Sequence, residues 1–344
     1  TTAGKIAVVG PNAADVHLGG YSPEATEGTS LLAGMRERFG DERIAYAPGC
    51  HITTGKQGAS AWWTDETELA TPGDGLEAAV AITLSADVAV LAIGGNEGTS
   101  REAWSSQHLG DRASLALPGP QQLLVEALAA TGTPRVAVVF GGRPLELSDV
   151  AARCGSVLQV WYPGQEGGRA LADIISGDVT PAGKLPMTFP RSAGHIPFHS
   201  RAKKPQQRGY LFSDPDPQFP FGHGLSYTTF AYSTPIVDPP VIGQREETTV
   251  SVEVTNSGDR SGREIAQCYI ADCVASVTRP VQSLAAFSPV DLRPGESKTV
   301  TFRIGPRQLE ILDRDMKPVV EPGEFEVRVG GSSATVVSAT FAVR

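Results

Sequence analysis

The spacing of apolar residues changes character once along this chain, and that change limits the fold more than any single motif. Up to about residue 180 the apolar residues come in short unbroken runs that stop on glycine. These are "KIAVVG" at 5–10, "DVAVLAIGG" at 87–95, "RVAVVFGG" at 135–142 and "SVLQVWYPG" at 156–164. A strand apolar on both faces is covered on both faces, which is the habit of a parallel sheet. "ERIAYAPG" at 42–49 reads as a further strand. Helical spacing lies between these runs, in "GDGLEAAVAITLSA", "GPQQLLVEALAATG" and "GGRALADIISGD". Gly132 and Gly177 mark the ends of the last two helices. Strand–helix alternation of this kind predicts an α/β sandwich, a mostly parallel sheet with helices on both faces.

After residue 230 the period drops to two. "TTVSVEVTNSGD", "REIAQCYIAD", "KTVTFRIG" and "EFEVRVGG" alternate apolar with polar residues between turn clusters. About a hundred residues of this pattern predict an all-β sandwich, and the lack of a Cys-Trp-Cys arrangement favours the fibronectin type III-like kind. Between the two patterns lies a stretch rich in Pro, Gly, Phe and His. The expected division is 1–192 for the α/β sandwich, 193–229 for a connector, and 230–344 for the β-sandwich. The polar, Pro-rich part of the connector, "HSRAKKPQQRGYLFSDPDPQ", reads as a surface loop.

One loop carries an excess of polar chemistry. Directly after the run at 87–95 come Asn96, Glu97, Arg101, Glu102, Trp104, Gln107, His108, Asp111 and Arg112. Open α/β sheets bind ligands beyond the carboxyl ends of their strands, where this loop falls. Several function classes are excluded or unsupported. A net charge of -9 argues against nucleic acid, which needs clustered Lys and Arg. No apolar run approaches the roughly 20 residues that span a bilayer. "VVGPNAADV" lacks the G-x-G-x-x-G of a dinucleotide site. The four cysteines form no C-x-x-C pair, and the histidines of "GHIPFHS" have no metal partners at useful spacing. Thr1–Lys5 leads straight into the first strand and reads as an artificially cut or a processed end. Cytoplasmic and exported locations are both left open.

The long segments resemble the C-terminal part of glycoside hydrolase family 3, the β-glucosidases and β-xylosidases. The resemblance rests on "WYPGQEGGRALADIISGDVTPAGKLPMTFP" (161–190), "FPFGHGLSYTTF" (219–230), "VTNSGDRSGREIAQCYI" (254–270) and "LRPGESKTVTF" (292–302). It implies a retaining, exo-acting enzyme on β-linked glucosides, or on β-xylosides as the alternative, with no metal or organic cofactor. It also implies an N-terminal (β/α)8 barrel, on the same precursor or another chain, that carries the aspartate nucleophile. Nothing in this sequence resembles that barrel. Homo-oligomerisation is left open.

In this family the acid/base is commonly a glutamate on a loop of the sandwich domain. The resemblance assigns that role to Glu102 in "TSREAW". The loop would then be polar because it completes a site on another domain. Trp104 is a candidate to stack on the leaving-group sugar, and Gln107 and His108 are candidates to bond its hydroxyls. Glu97, at the strand end, suits hydrogen bonding to loop backbone better than reaching a sugar. Asp111 and Arg112 read as an ion pair within the loop, and Trp161 and Tyr162 as structural. The sequence departs from the family pattern in one respect. Many relatives carry a Glu-Gly-x-Asp-Arg run, whereas here "AWSSQHL" separates Glu102 from Gly110-Asp111-Arg112. A non-catalytic carbohydrate-binding module is the reading from a different class.

Overall fold

The computed structural model describes residues 4–22, 27–54, 68–73, 75–100, 112–203 and 213–344. The chain folds as two compact units, Thr1–Val179 with Arg191–Gly194 and Thr180–Pro190 with His195–Arg344.

In the first unit, five strands form one parallel sheet: β1 (Ile6–Val9), β2 (Ile44–Ala47), β3 (Val88–Gly94), β4 (Arg135–Phe140) and β5 (Ser156–Trp161). Their order is β2-β1-β3-β4-β5, so the winding reverses between β1 and β3. Helix α1 (Leu31–Phe39) and helix α5 (Gly167–Ser176) cover one face. There Ile6, Val8, Val90, Ala92 and Val138 pack against Leu31, Met35 and Leu171, all nearly or fully buried. The alternate residues Ala7, Val9, Leu91, Ile93 and Val139 point to the other face and are equally buried. On that side α2 (Gly75–Leu84), α3 (Gln121–Ala130) and α4 (Ser148–Arg153) lie against the sheet and one another. Burial on both faces is why these strands read as unbroken apolar runs. Helix α1 is capped by Ser30, whose hydroxyl accepts from Ala33 N, and ends at Gly40 (φ 92°).

The second unit is a sandwich of two sheets. One is β11-β10-β15-β16-β8, built from β8 (Val241–Ile242), β10 (Gly262–Asp272), β11 (Ser283–Leu292), β15 (Gly323–Gly330) and β16 (Val336–Val343). The other joins β6 (Phe230–Tyr232), β7 (Ile236–Asp238), β9 (Thr248–Asn256) and β12 (Ser297–Ile304), with β7 also on β9. A small hairpin, β13 (Ile311–Leu312) and β14 (Pro318–Val319), stands apart. The inner faces meet in a core of Val250, Val252, Val254, Phe302, Val327 and Phe341.

Two of the recognisable segments of the sequence hold each other. Leu185 N donates to His223 O at 2.8 Å, Gly222 N to Leu185 O at 2.8 Å, and Phe189 N to Phe219 O at 2.8 Å. Lys184 Nζ donates to Gly224 O at 2.9 Å and meets Glu264 Oε1 at 2.9 Å, with both side chains largely buried. Gly224 is required there, because a Cβ would stand 2.0 Å from Gly183 O. The pair "PAGKLPMTFP" and "FPFGHGLSY" is thus a self-bracing strap laid on β10.

Candidate active site

The sheet's reversal point fixes where a ligand site forms. Strands on either side of it feed their loops in opposite directions and leave a crevice beyond their carboxyl ends, between β1 and β3. The chain turns sharply there. Gly10 (φ 123°), Gly94 (φ 116°) and Gly141 (φ 122°) close β1, β3 and β4. A Cβ on Gly10 would lie 2.1 Å from Ala92 O, and one on Gly94 would lie 2.1 Å from Phe140 O. Only glycine allows both the positive φ and that approach.

Buried polar side chains satisfy the backbone at this turn. The amide of Gln121, at the start of α3, accepts from Gly94 N at 2.8 Å and donates to Gly94 O at 2.7 Å. Asn12 Nδ2, after β1, donates to Gly95 O at 3.1 Å. Asn96 and Thr99 exchange side-chain to backbone bonds, Asn96 Oδ1 accepting from Thr99 N at 3.1 Å and Thr99 Oγ1 from Asn96 N at 3.0 Å. They close a single 3-10 turn, Glu97–Thr99.

Glu97 is the charged centre of this turn, and it is fully buried. His17 Nδ1 lies 3.1 Å from Glu97 Oε2, and Gly19 N donates to Oε1 at 3.4 Å. His17 Nδ1 donates in this pair, since an ionised carboxylate only accepts. Burial pushes the Glu97 carboxyl up. The His17 hydrogen bond and charge, with the Glu97 and Gly19 amides, outweigh it, and the carboxyl is held below its usual range. Around the pair, Tyr162 Oη donates to Asn96 O at 3.1 Å, and Gly142 N donates to Ser100 Oγ at 3.4 Å. Burial pushes the Tyr162 hydroxyl up to about 12, so it stays a donor. The His17 ring lies 5.1 Å from that of Phe140, and its Nε2 finds no hydrogen-bonding partner among the described residues.

This carboxylate has a pH signature. A group whose folded pKa is depressed stabilises fully above its unfolded pKa and loses that contribution as pH falls through the folded one. The stability gap between wild type and Glu97→Gln should therefore narrow between about pH 6 and about pH 3, bracketing the usual carboxylate range. Urea midpoints at the two pH values measure it. A gap that stays constant would mean that folding leaves the Glu97 pKa unchanged, and one that widens as pH falls would mean that Glu97 is neutral in the fold.

Glu102, Trp104, Gln107 and His108 lie outside the described residues, as does Asp111. The residues on either side are placed. Ser100 leaves the 3-10 turn tied to Gly142, and Arg112 returns with a guanidinium bond to Ala116 O at 2.9 Å. Burial, then repulsion from Arg143, lowers the Arg112 pKa. Glu97 bonds loop backbone, as its position suggests, and Tyr162 braces the loop. Sequence reasoning missed His17, Asn12 and Gln121. Each is a single polar residue in a turn, and only its burial reveals it. Among the described residues no three His, Cys, Asp or Glu side chains come together as a metal site.

Comparison with known proteins is unambiguous as to family. Residues 1–227 match the glycosyl hydrolase family 3 C-terminal domain, and 264–333 the fibronectin type III-like domain. A β-xylosidase of Formosa agariphila is 41% identical over 95% of this chain and 44% of its own length. A periplasmic β-glucosidase of Salmonella typhimurium is 38% identical over 98% of this chain and 46% of its own. Among solved structures, a β-glucosidase of Erythrobacter marinus matches with a TM-score of 0.94 at 41% identity, covering 100% of this chain and 47% of that one. The Listeria innocua β-glucosidase in complex with isofagomine matches at 0.84 and 32% identity, over 98% of this chain and 46% of its own. The chain spans about half the length of these relatives.

Proposed function

This chain belongs to glycoside hydrolase family 3, and we propose that it supplies the general acid/base, Glu102, to a retaining β-glycosidase whose nucleophile stands on a separate (β/α)8 barrel. A retaining glycosidase needs two carboxyl groups about 5–5.5 Å apart, one to attack the anomeric carbon and one to protonate the departing oxygen and then activate water. The observation that carries the reading is the stem at the sheet's reversal point. Two residues before Glu102, the chain leaves a turn anchored by Gln121, Asn12, His17 and Tyr162. A loop so rooted can hold a carboxyl outward toward a second domain. Glu97 does not compete for the role, because a buried carboxylate held below its usual range has no proton to give at the start of reaction. Trp104 would stack on the leaving-group sugar, with Gln107 and His108 bonding its hydroxyls.

The substrate we propose is a terminal β-glucoside, in keeping with the β-glucosidases among the relatives. A β-xyloside is the second reading, favoured by the 41% identical protein named a β-xylosidase. The test combines the chain with its barrel and compares aryl β-glucoside with aryl β-xyloside, following the anomer first formed by NMR. We expect faster glucoside turnover with retention. Inversion would overturn the mechanism. Titration of the chain alone with glucose, xylose and cellobiose should give no strong binding, and tight binding with no hydrolysis would favour a carbohydrate-binding module.

A further inference from the structure

A fully buried histidine–carboxylate pair sits just upstream of the proposed acid/base, and the reaction above does not use it. The side chains of His17 and Glu97 have 0% exposure each and meet at 3.1 Å. A buried carboxylate held by a histidine is an expensive way to fill a core, since burying a charge costs free energy that packed apolar residues do not. Unlike packing, it is directional. Oε2 faces His17 and Oε1 faces the amide of Gly19, so the carboxylate straps the loop after β1 to the turn after β3. Tyr162 straps the same turn to the end of β5, and Gly142 straps it to the end of β4. Three strand ends thus fix the direction in which the chain departs at Ser100. Glu102 follows two residues later in the sequence, and two residues of chain span at most about 7 Å. A displaced stem has little chain in which to be absorbed, and a misplacement of about 1 Å can cost about 100-fold in rate.

We infer that His17 and Glu97 form a positioning pair for the glycosidic acid/base: they set where residues 101–111 leave the sheet, and so where Glu102 stands, without touching the sugar. The inference rests on the assignment of Glu102 as acid/base. A pair that only stabilised the fold would, when broken, lower the melting temperature and leave the dependence of rate on leaving group unchanged.

Three variants test it, assayed well below their melting temperatures. Glu97→Gln keeps the shape and removes the charge. His17→Ala removes the donor. His17→Asn keeps a donor, because the asparagine amide nitrogen can replace the ring Nδ1. With the barrel present, Glu97→Gln and His17→Ala should lose about 10- to 100-fold in kcat on cellobiose, with KM within about 3-fold. On a dinitrophenyl glucoside, whose kcat/KM reports a departure that needs no protonation, the loss in kcat/KM should stay under about 3-fold, and His17→Asn should recover most of the loss on cellobiose. Equal losses on both substrates, or none, would overturn the inference.

A second readout needs no activity. In the chain alone, tryptic cleavage after Arg101, normalised to cleavage after Lys203, should quicken about 10-fold or more in Glu97→Gln and His17→Ala but not in His17→Asn. Unchanged cleavage would overturn the strap itself. If Glu102→Ala proves indifferent to the leaving group, the acid/base reading has failed. Faster cleavage would then leave a strap with no part in this chemistry, which also overturns the inference.

Discussion

Glu102→Ala is expected to slow hydrolysis of cellobiose by about 10²–10⁴-fold, the usual contribution of a general acid–base group, while an activated aryl glucoside loses far less in its first step. A good leaving group departs unprotonated, so only the later attack of water suffers. Added azide should rescue that step, because it attacks without a general base, and the product should be the β-glucosyl azide. The acid must be protonated when glycosylation begins. A raised pKa is expected from the nucleophile's negative charge and from closure over the sugar. The acid limb and the base limb of the pH–rate profile then belong to different groups, and the basic limb should vanish in Glu102→Ala for substrates that still need protonation. Glu97 gives the contrast on the same loop: its carboxyl is held down rather than up, so any azide rescue in Glu97→Gln should be weaker than in Glu102→Ala. Rescue in a Glu97 variant but not in Glu102→Ala, or in neither, would move the acid/base off Glu102.

How much of this was legible in the residues follows from what each pattern records. The core strands were legible because burial on both faces leaves an unbroken apolar run, and the glycines that stop those runs are the ones held at positive φ where strand ends nearly touch. Helix α1 was not read. Its buried Leu31, Leu32, Met35 and Phe39 are spaced around Gly34 and three charged residues in only nine positions, too short for a clear period. In the second unit β11 escaped notice because Pro289 interrupts it. Proline is tolerated there since β11 is a sheet edge with one unpaired side. On β10 the alternation gives way to continuous burial from Ala266 to Ala271, because a strap lies over its outer face: Gln267 Nε2 donates to Gly222 O at 3.1 Å, and Phe221 meets Tyr269 edge-on. The place proposed for the site follows from strand order and loop polarity. His17 does not, since a lone histidine eight residues past a strand leaves no pattern until the fold buries it against Glu97.

The same contrast between local preference and packing decides the other large effect, at Gly168. Helix propensity alone says that Gly168→Ala should help, since alanine is favoured over glycine in a helix by about 1 kcal/mol. Sterics say the opposite with more force. A Cβ on Gly168 would stand 1.9 Å from Ser30 O and 2.5 Å from Thr29 O, and one on Gly34 would stand 2.2 Å from Gly168 O. These are backbone atoms, which no rotamer can move aside. The closeness also serves the helix ends, because Gly168 N donates to Thr29 O at 2.9 Å, filling one of the unpaired amides in the first turn of α5. Relief would require α1 and α5 to part by more than an ångström. That would open the layer where Met35, Leu171 and Ala172 are buried against the sheet. Overpacking usually costs about 1–3 kcal/mol and more where the backbone must move, so Gly168→Ala should cost at least about 3 kcal/mol in urea unfolding of the first unit. Gly73→Ala, whose Cβ would meet nothing within 4 Å, should stay within about 0.5 kcal/mol of wild type in the same assay. Because one separation of the helices relieves both clashes, Gly34→Ala with Gly168→Ala should cost less than the two single changes added. An additive pair, or a Gly168→Ala as stable as wild type, would mean that this glycine pair answers to something other than the meeting of two backbones.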